Sequence, residues 1–306
     1  MGYSRWDNAS YTSYSSARSN MASNEIFTGR EIDSRMDLQE IESREARDSD
    51  LNPNSTPIII GIDVTGSMGR LAEYLVKTGL GVMVSHILER RPVVDPAICV
   101  VAIGDAEHDR APIQVGQFES DLAITEWLEA IFIEGGGGGN NHESYDLPYY
   151  FAINKTRTDS FETRNEPGVI ITIGDELPND VLRKEHIRQF IGDTPEVDLR
   201  FEDLVRDIRP MYTPYHIIIA EGYFASRSVD RVKDAWREYL GNAAMVLNDH
   251  RKAAELIVSM LEVDAGNSVE NAISIWDQDT ARILRESFTD FVSSGAARLS
   301  RRMDAA

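Results

Sequence analysis

Four runs of almost unbroken apolar residues, PIIIGIDV (57–64), AICVVAIGD (97–105), GVIITIGDE (168–176) and YHIIIAEG (215–222), limit what this chain can fold into more than any other feature. A strand with one wet face alternates polar and apolar side chains; runs without alternation belong to strands covered on both faces. Between the runs stand stretches of helical periodicity: MGRLAEYLVKTGLGVMVSHILERR, DLAITEWLEAIF, ESYDLPYYFAINKT with Pro148 suited to a first turn, DVLRKEHIRQFIG, FEDLVRDI and VDRVKDAWREYL. APIQVGQF follows the second run closely enough for a hairpin or edge strand, and AAMVLND reads as a last strand. Strands alternating with helices at this spacing predict a doubly wound α/β domain, a mostly parallel sheet with helices on both faces.

That domain is expected over residues 57–265, after a flexible polar arm and linker (1–56) and before a helical extension (266–306). Met1 to Asn24 is rich in Ser, Asn, Tyr and Arg without periodicity. It reads either as a disordered tail or, given Tyr3, Trp6, Tyr11 and Tyr14, as an arm that docks on a partner or on a second copy in self-assembly. Loosely spaced Ile32, Met36, Leu38 and Ile41 allow a short surface helix, closed by DSDLNPNSTP. RKAAELIVSMLEV and two later stretches, with Val269, Ala272, Ile273 and Trp276, then Leu284, Phe288, Phe291 and Val292, keep helical spacing.

The 51 acidic against 31 basic residues, net −20, argue against nucleic-acid or anionic-membrane partners, which need a cationic face. No run is expected to reach the roughly 18 apolar residues of a membrane span, and the N-terminus has no signal-like apolar region. The single cysteine, Cys99, lies inside an apolar run, so a buried thiol is expected and an intrachain disulfide is excluded. Cytoplasm is the expected compartment, or a virion if the chain is of phage origin.

Ligands of doubly wound sheets collect outside the carboxyl ends of the strands. The residues there are oxygen donors: Asp63, Thr65 and Ser67 after the first run, Asp105 after the second, Asp175 and Glu176 after the third, with Asn140, Asn141 and Glu143 after five consecutive glycines, Gly135 to Gly139. Such a set suits a hard divalent cation, Mg2+ foremost and Mn2+ or Ca2+ as substitutes. The bland alternative is a strand, a turn and a helix cap, with Ser67 capping and Asp63 bonded to backbone amides.

DVTGSMG resembles the DxSxS motif of von Willebrand factor A domains, with Thr65 in place of the first serine, at the end of a first strand. GGGGGNNHES is similar to the glycine-rich loops of intracellular members, and ITIGDELP to the strand that carries a second aspartate. The similarity spans about Pro57 to Leu261. It implies a metal-ion-dependent adhesion site (MIDAS) in which Asp63, Thr65 and Ser67 form one cluster and Asp175 binds through water. Asn141, or its neighbour Asn140, stands where adhesion-type members have threonine, a departure from the pattern. Asp105, Glu143 and Glu176 would lie on the rim. In that family a partner's carboxylate fills the open coordination position, which implies a binding module without catalysis, and bacterial and phage members act as adaptors or in assemblies.

Two other classes compete: a metal-dependent phosphohydrolase using the same oxygens, and a structural subunit of a virion or other large assembly. IIIGIDVTGSM is similar to the phosphate loop of actin-like and sugar-kinase ATPases, but that loop turns into a second strand, whereas a helical pattern follows here. A haloacid-dehalogenase phosphatase needs a second aspartate where this chain has Thr65. GxxxxGK[ST], GxSxG and GxGxxG do not occur at the expected places. AEHDR is expected as a solvated loop, His142 as an exposed helix start, and His216 as the mark of a strand edge.

Overall fold

The computed structural model describes residues 6–135, 139–289 and 291, without the side chain of Ser67. Six strands form the central sheet: β1 (Thr56–Asp63), β2 (Pro96–Ile103), β3 (Ile113–Val115), β4 (Gly168–Gly174), β5 (Tyr212–Ile219) and β6 (Ala244–Leu247). Their order is β3-β2-β1-β4-β5-β6; β3 is antiparallel to β2 and every other pair is parallel. This is the doubly wound arrangement expected from the apolar runs, with the order reversing between β1 and β4.

The unbroken apolar runs are explained by two cores. Ile58, Ile60 and Ile62 of β1, with Ile98 and Val100 of β2 and Val169 and Ile171 of β4, face one helical layer. Ile59, Cys99, Val101 and Ile170 face the other. At about 1.5–3 kcal/mol for each fully buried aliphatic side chain, neither face could be left wet. Cys99 is fully buried, and burial pushes its thiol up to about 12.

The first layer holds α1 (Asn8–Arg18), α2 (Gly69–Arg90) and α3 (Ile124–Glu129), with further helices introduced below. The second holds α4 (Asp146–Asn154, with Pro148 in its first turn), α5 (Phe201–Ile208) and α6 (Ala225–Leu240). Contrary to the sequence expectation, α2 has the length (22 residues) and mean hydropathy (1.2) of a membrane span. Over half of its apolar window, 56%, is buried inside the protein. Leu71, Leu75, Val76, Leu80, Met83 and Ile87 are spent on the first core. Within it Leu75–Gly79 is a π turn, closed by the Leu80 N–H on the Leu75 carbonyl.

Residues 6–56 of the segment expected as a flexible arm and linker are instead built into the domain, and Tyr3 lies outside the described residues. Asp7 caps α1, and Tyr11 is buried against α2 with Trp6 and Tyr14 beside it. A Cβ at Gly81 would lie 1.9 Å from the Tyr11 ring, so only glycine leaves room for that contact. Met36, Leu38 and Ala46 are buried, and residues 44–46 pair in parallel with residues 156–158. The Val115 N–H donates to the Met36 carbonyl (2.9 Å) and the Arg44 guanidinium to the Val115 carbonyl (2.8 Å), so this strap covers the β3 edge. The short surface helix allowed by Ile32, Met36, Leu38 and Ile41 does not form: these residues lie in turns and irregular chain, and the one helical turn nearby, Ser23–Ile26, precedes them.

The described part of the extension beyond residue 265 likewise shares the first core. α7 (Ala253–Asp264) carries α8 (Val269–Ile273) and α9 (Gln278–Ser287), with Ala272, Ile273 and Leu284 buried in that cluster. Val292 and the basic ARLSRR lie outside the described residues.

Candidate metal centre

The reversal of strand order sets two carboxylates at one edge of the sheet: Asp63 closes β1 and Asp175 follows β4. Asp63 is fully buried. Its Oδ1 accepts the Thr65 N–H (2.8 Å) and hydroxyl (2.7 Å), and its Oδ2 accepts the Tyr145 hydroxyl (3.1 Å). Thr65 is extended and leads through the 3-10 turn Gly66–Met68 into α2, so the aspartate organises the loop before the helix. The Ser67 side chain lies outside the described portion.

Glu143, placed by the sequence on the rim, stands inside this cluster. It is fully buried, and among the described residues neither of its buried carboxylate oxygens has a hydrogen-bond donor. Thr65 lies beside it, but the one proton of that hydroxyl goes to Asp63. Glu143 is held in place by its backbone: residues 142–143 pair in parallel with residues 177–178, and the Ser144 N–H donates to the Gly104 carbonyl (3.0 Å).

The two asparagines sit differently from their expected role. Asn141 is half-buried with φ +65°, and its carbonyl accepts the Leu177 N–H (3.2 Å). Asn140 donates to Asp105 Oδ2 (2.8 Å) and accepts the His142 N–H (3.1 Å). Both therefore shape the turn that delivers Glu143, a tight left-handed turn that Asn tolerates well. Residues 136–138 of the glycine run lie outside the described residues.

Asp105 is buried, with His108 Nδ1 2.5 Å from Oδ2 and the Glu107 N–H on Oδ1 (2.9 Å). AEHDR thus folds back on Asp105; it is not simply solvated. The Asp175 carboxylate accepts the Phe224 N–H (2.8 Å) at the start of α6. The carbonyl of half-buried Glu176 accepts the Trp236 indole N–H (3.1 Å).

Behind the carboxylates stands an aromatic wall that sequence reasoning missed. Tyr145 meets His216 and Trp236 edge-on at 5.1 Å each, and His216 stacks on Trp236 at 3.5 Å. His216 is fully buried in the sheet, not at its edge; Nδ1 is 2.8 Å from the Thr172 hydroxyl, and burial holds the ring well below the usual histidine range. A Cβ at Gly174 would lie 1.9 Å from the Tyr145 hydroxyl oxygen. The signal for Tyr145 was only its place in ESYDL, two residues after Glu143 and directly before Asp146.

The electrostatics follow from burial and crowding. Asp63 is pushed up to about 8 by burial and then by the charge of Asp175. Glu143 is pushed up to about 11 by burial, then by Asp63 and Glu176. Glu176 rises to about 7 by burial, then by Asp175 and Asp105. Asp175 is raised by burial, although the Phe224 and Ala225 amides oppose it. Crowded acids of this kind hold protons or bind a cation. The donor set fits a hard divalent cation: every donor is oxygen, and the Glu143 carboxylate accepts no hydrogen bond among the described residues.

The oxygens are spaced more widely than in a closed coordination shell. Among the described residues, the one group of three or more His, Cys, Asp or Glu side chains whose ligand atoms all lie within 4.8 Å of one another is Glu221, Asp249 and His250. There Asp249 is committed to the Arg251 guanidinium (2.9 and 2.8 Å), and His250 is bonded to Glu221.

No family model matches the chain, and no curated protein matches it in sequence. Among solved structures it is similar to the pilus adhesin SpaC from Lactobacillus rhamnosus GG (TM-score 0.45, 9% identity, 75% of this chain and 31% of that one). It is also similar to proximal thread matrix protein 1 of the mussel byssus (TM-score 0.42, 12% identity, 69% and 48%). A third likeness is to a von Willebrand factor type A protein from Catenulispora acidiphila (TM-score 0.37, 15% identity, 70% and 44%). The matched region spans less than half the length of each of these chains.

Proposed function

We propose that this chain is a protein-binding module that holds a divalent cation, Mg2+ by its all-oxygen donor set, and uses it to engage a carboxylate on a partner protein. The observation that carries this reading is Glu143, whose two buried oxygens, beside buried Asp63 and Thr65, have no donor among the described residues. Asp63, Thr65 and Glu143 would hold the ion, Ser67 would join them from the same loop, and Asp175 would act through water. When bound, the ion neutralises these carboxylates and offers an open position to an acidic ligand. Asp63 positions the Thr65 loop, and Tyr145 fixes Asp63 from behind.

The DVTGSMG resemblance supports the same reading. It assigns binding without turnover. Thermal unfolding with and without Mg2+ tests it: a ligand at one hundred times its Kd adds about 2.7 kcal/mol. Wild type should gain stability, and Glu143→Gln and Asp63→Asn should not. Indifference of wild type to Mg2+, Mn2+ and Ca2+ would overturn the metal. Hydrolysis of phosphate esters by wild type, lost in Asp63→Asn, would overturn the absence of catalysis.

A further inference from the structure

We propose that α1 is a detachable brace that sets the register of α2 and, through it, the position of the Thr65 loop. An eleven-residue helix of sequence NASYTSYSSAR is too short and too polar to persist alone, so its helicity comes from docking. The docking points lie on α2 and α3. Tyr11 fills the slot over Gly81, the Ser15 hydroxyl donates to the Lys77 carbonyl, and Arg18 and Tyr14 both reach Glu129.

Lys77 lies inside the π turn Leu75–Gly79. When a helix returns from five-residue to four-residue hydrogen bonds, one carbonyl is skipped by the backbone ladder. With the Leu80 N–H on the Leu75 carbonyl, the carbonyl passed over is that of Val76; the Ser15 hydroxyl holds the next one, Lys77, where the regular ladder resumes, so docking α1 favours the turn in this register.

The consequence runs toward the site. The far end of α2 is pinned by Arg90, which bonds Glu262 of α7 through Nε (2.9 Å) and Nη2 (3.1 Å). The near end continues directly into Gly66–Met68 and Thr65. Relaxing the π turn to an α turn changes the register by one residue, about 100° of rotation and 1.5 Å of rise. With the far end fixed, the near end must take up that change. The docked brace therefore favours the loop geometry in which Thr65 bonds Asp63. By linkage, a cation bound there favours the docked brace.

The cation half of this rests on the function proposed above; the register half does not. The test compares full-length wild type with Ser15→Ala and with Tyr11→Ala/Ser15→Ala by amide hydrogen exchange followed by mass spectrometry. Releasing the brace should speed exchange at least tenfold, on the order of the coupling typical of linked sites, at residues 75–80 and at 64–69. Residues 169–173 of β4 should stay as slow as in wild type. Mg2+ affinity should fall about 5- to 30-fold, within the range of such couplings.

Deleting exposed Thr78 removes the extra residue of the π turn while leaving both flanks in register. In that background the double substitution should alter neither the exchange of 64–69 nor Mg2+ affinity. Exchange that rises at residues 8–18 but not at 64–69 overturns the proposal, as does a Thr78-deleted chain that still responds to brace release. If wild type binds no divalent ion, the metal reading fails, and the exchange comparison still decides the brace.

Discussion

Tyr145 shows how much one side chain can fix. Its hydroxyl sits on Asp63 Oδ2 and its ring occupies space that only a glycine at 174 leaves open. Gly174→Ala should therefore cost about 1–3 kcal/mol, as overpacking does, and should weaken Mg2+ binding by moving Asp63; urea unfolding and titration calorimetry read the two effects. Tyr145→Phe, which keeps the ring, should lose only about 1 kcal/mol.

His216 gives a pH signature at the same scale. Its buried ring stays neutral in the fold, whereas the unfolded chain takes up a proton below about pH 6.5. Stability from this group is therefore complete above that pH and is lost as pH falls, by up to about 1.4 kcal/mol per unit. His216→Phe preserves the stack on Trp236, and the Thr172 hydroxyl can turn to the Tyr215 carbonyl at 3.5 Å. Between pH 6.5 and 5 the variant should lose less stability than wild type, measured by urea unfolding at each pH. Asp63, Thr65 and Asp175 were legible in the sequence because each directly follows an apolar run. Glu143 and Tyr145 were not, because their place depends on a ladder between residues 142–143 and 177–178 that no local pattern announces.

Among the elements, the sheet was the readable part. Its strands are apolar on both faces, and local composition suffices to mark them. α1 was unreadable for the opposite reason: its residues make a poor helix by themselves, and the partner surface lies on α2, 77 residues along the chain at the Asn8–Ser85 contact. The π turn left no trace either, since one extra residue within a single turn leaves the surrounding apolar spacing helical. Gly81→Ala should expel Tyr11 and expose residues 8–18 to protease while the sheet stays folded. A protease pattern identical to wild type would mean that the ring finds another seat.

For the whole molecule, a net charge of −20 sets the tone. Self-repulsion on this scale is screened by salt. Raising NaCl from about 0.05 to 0.5 M, roughly a threefold change in Debye length, should raise the melting temperature of metal-free protein. Mg2+ at millimolar concentration should add a further increment at constant ionic strength. The second increment should vanish in Glu143→Gln, whereas the first should persist, because it belongs to the surface and not to the site.

The pairing of residues 44–46 with residues 156–158 also bears on how the chain is made. The strap gains this second anchor only once a segment about 110 residues downstream has left the ribosome, roughly 5–20 s after the strap itself at ordinary rates of synthesis. Until then the edge of β3 is covered by a strap held on one side alone, on a half-made sheet. The nascent chain thus passes through an interval in which a chaperone, or another copy, can reach a strand that the finished protein keeps covered.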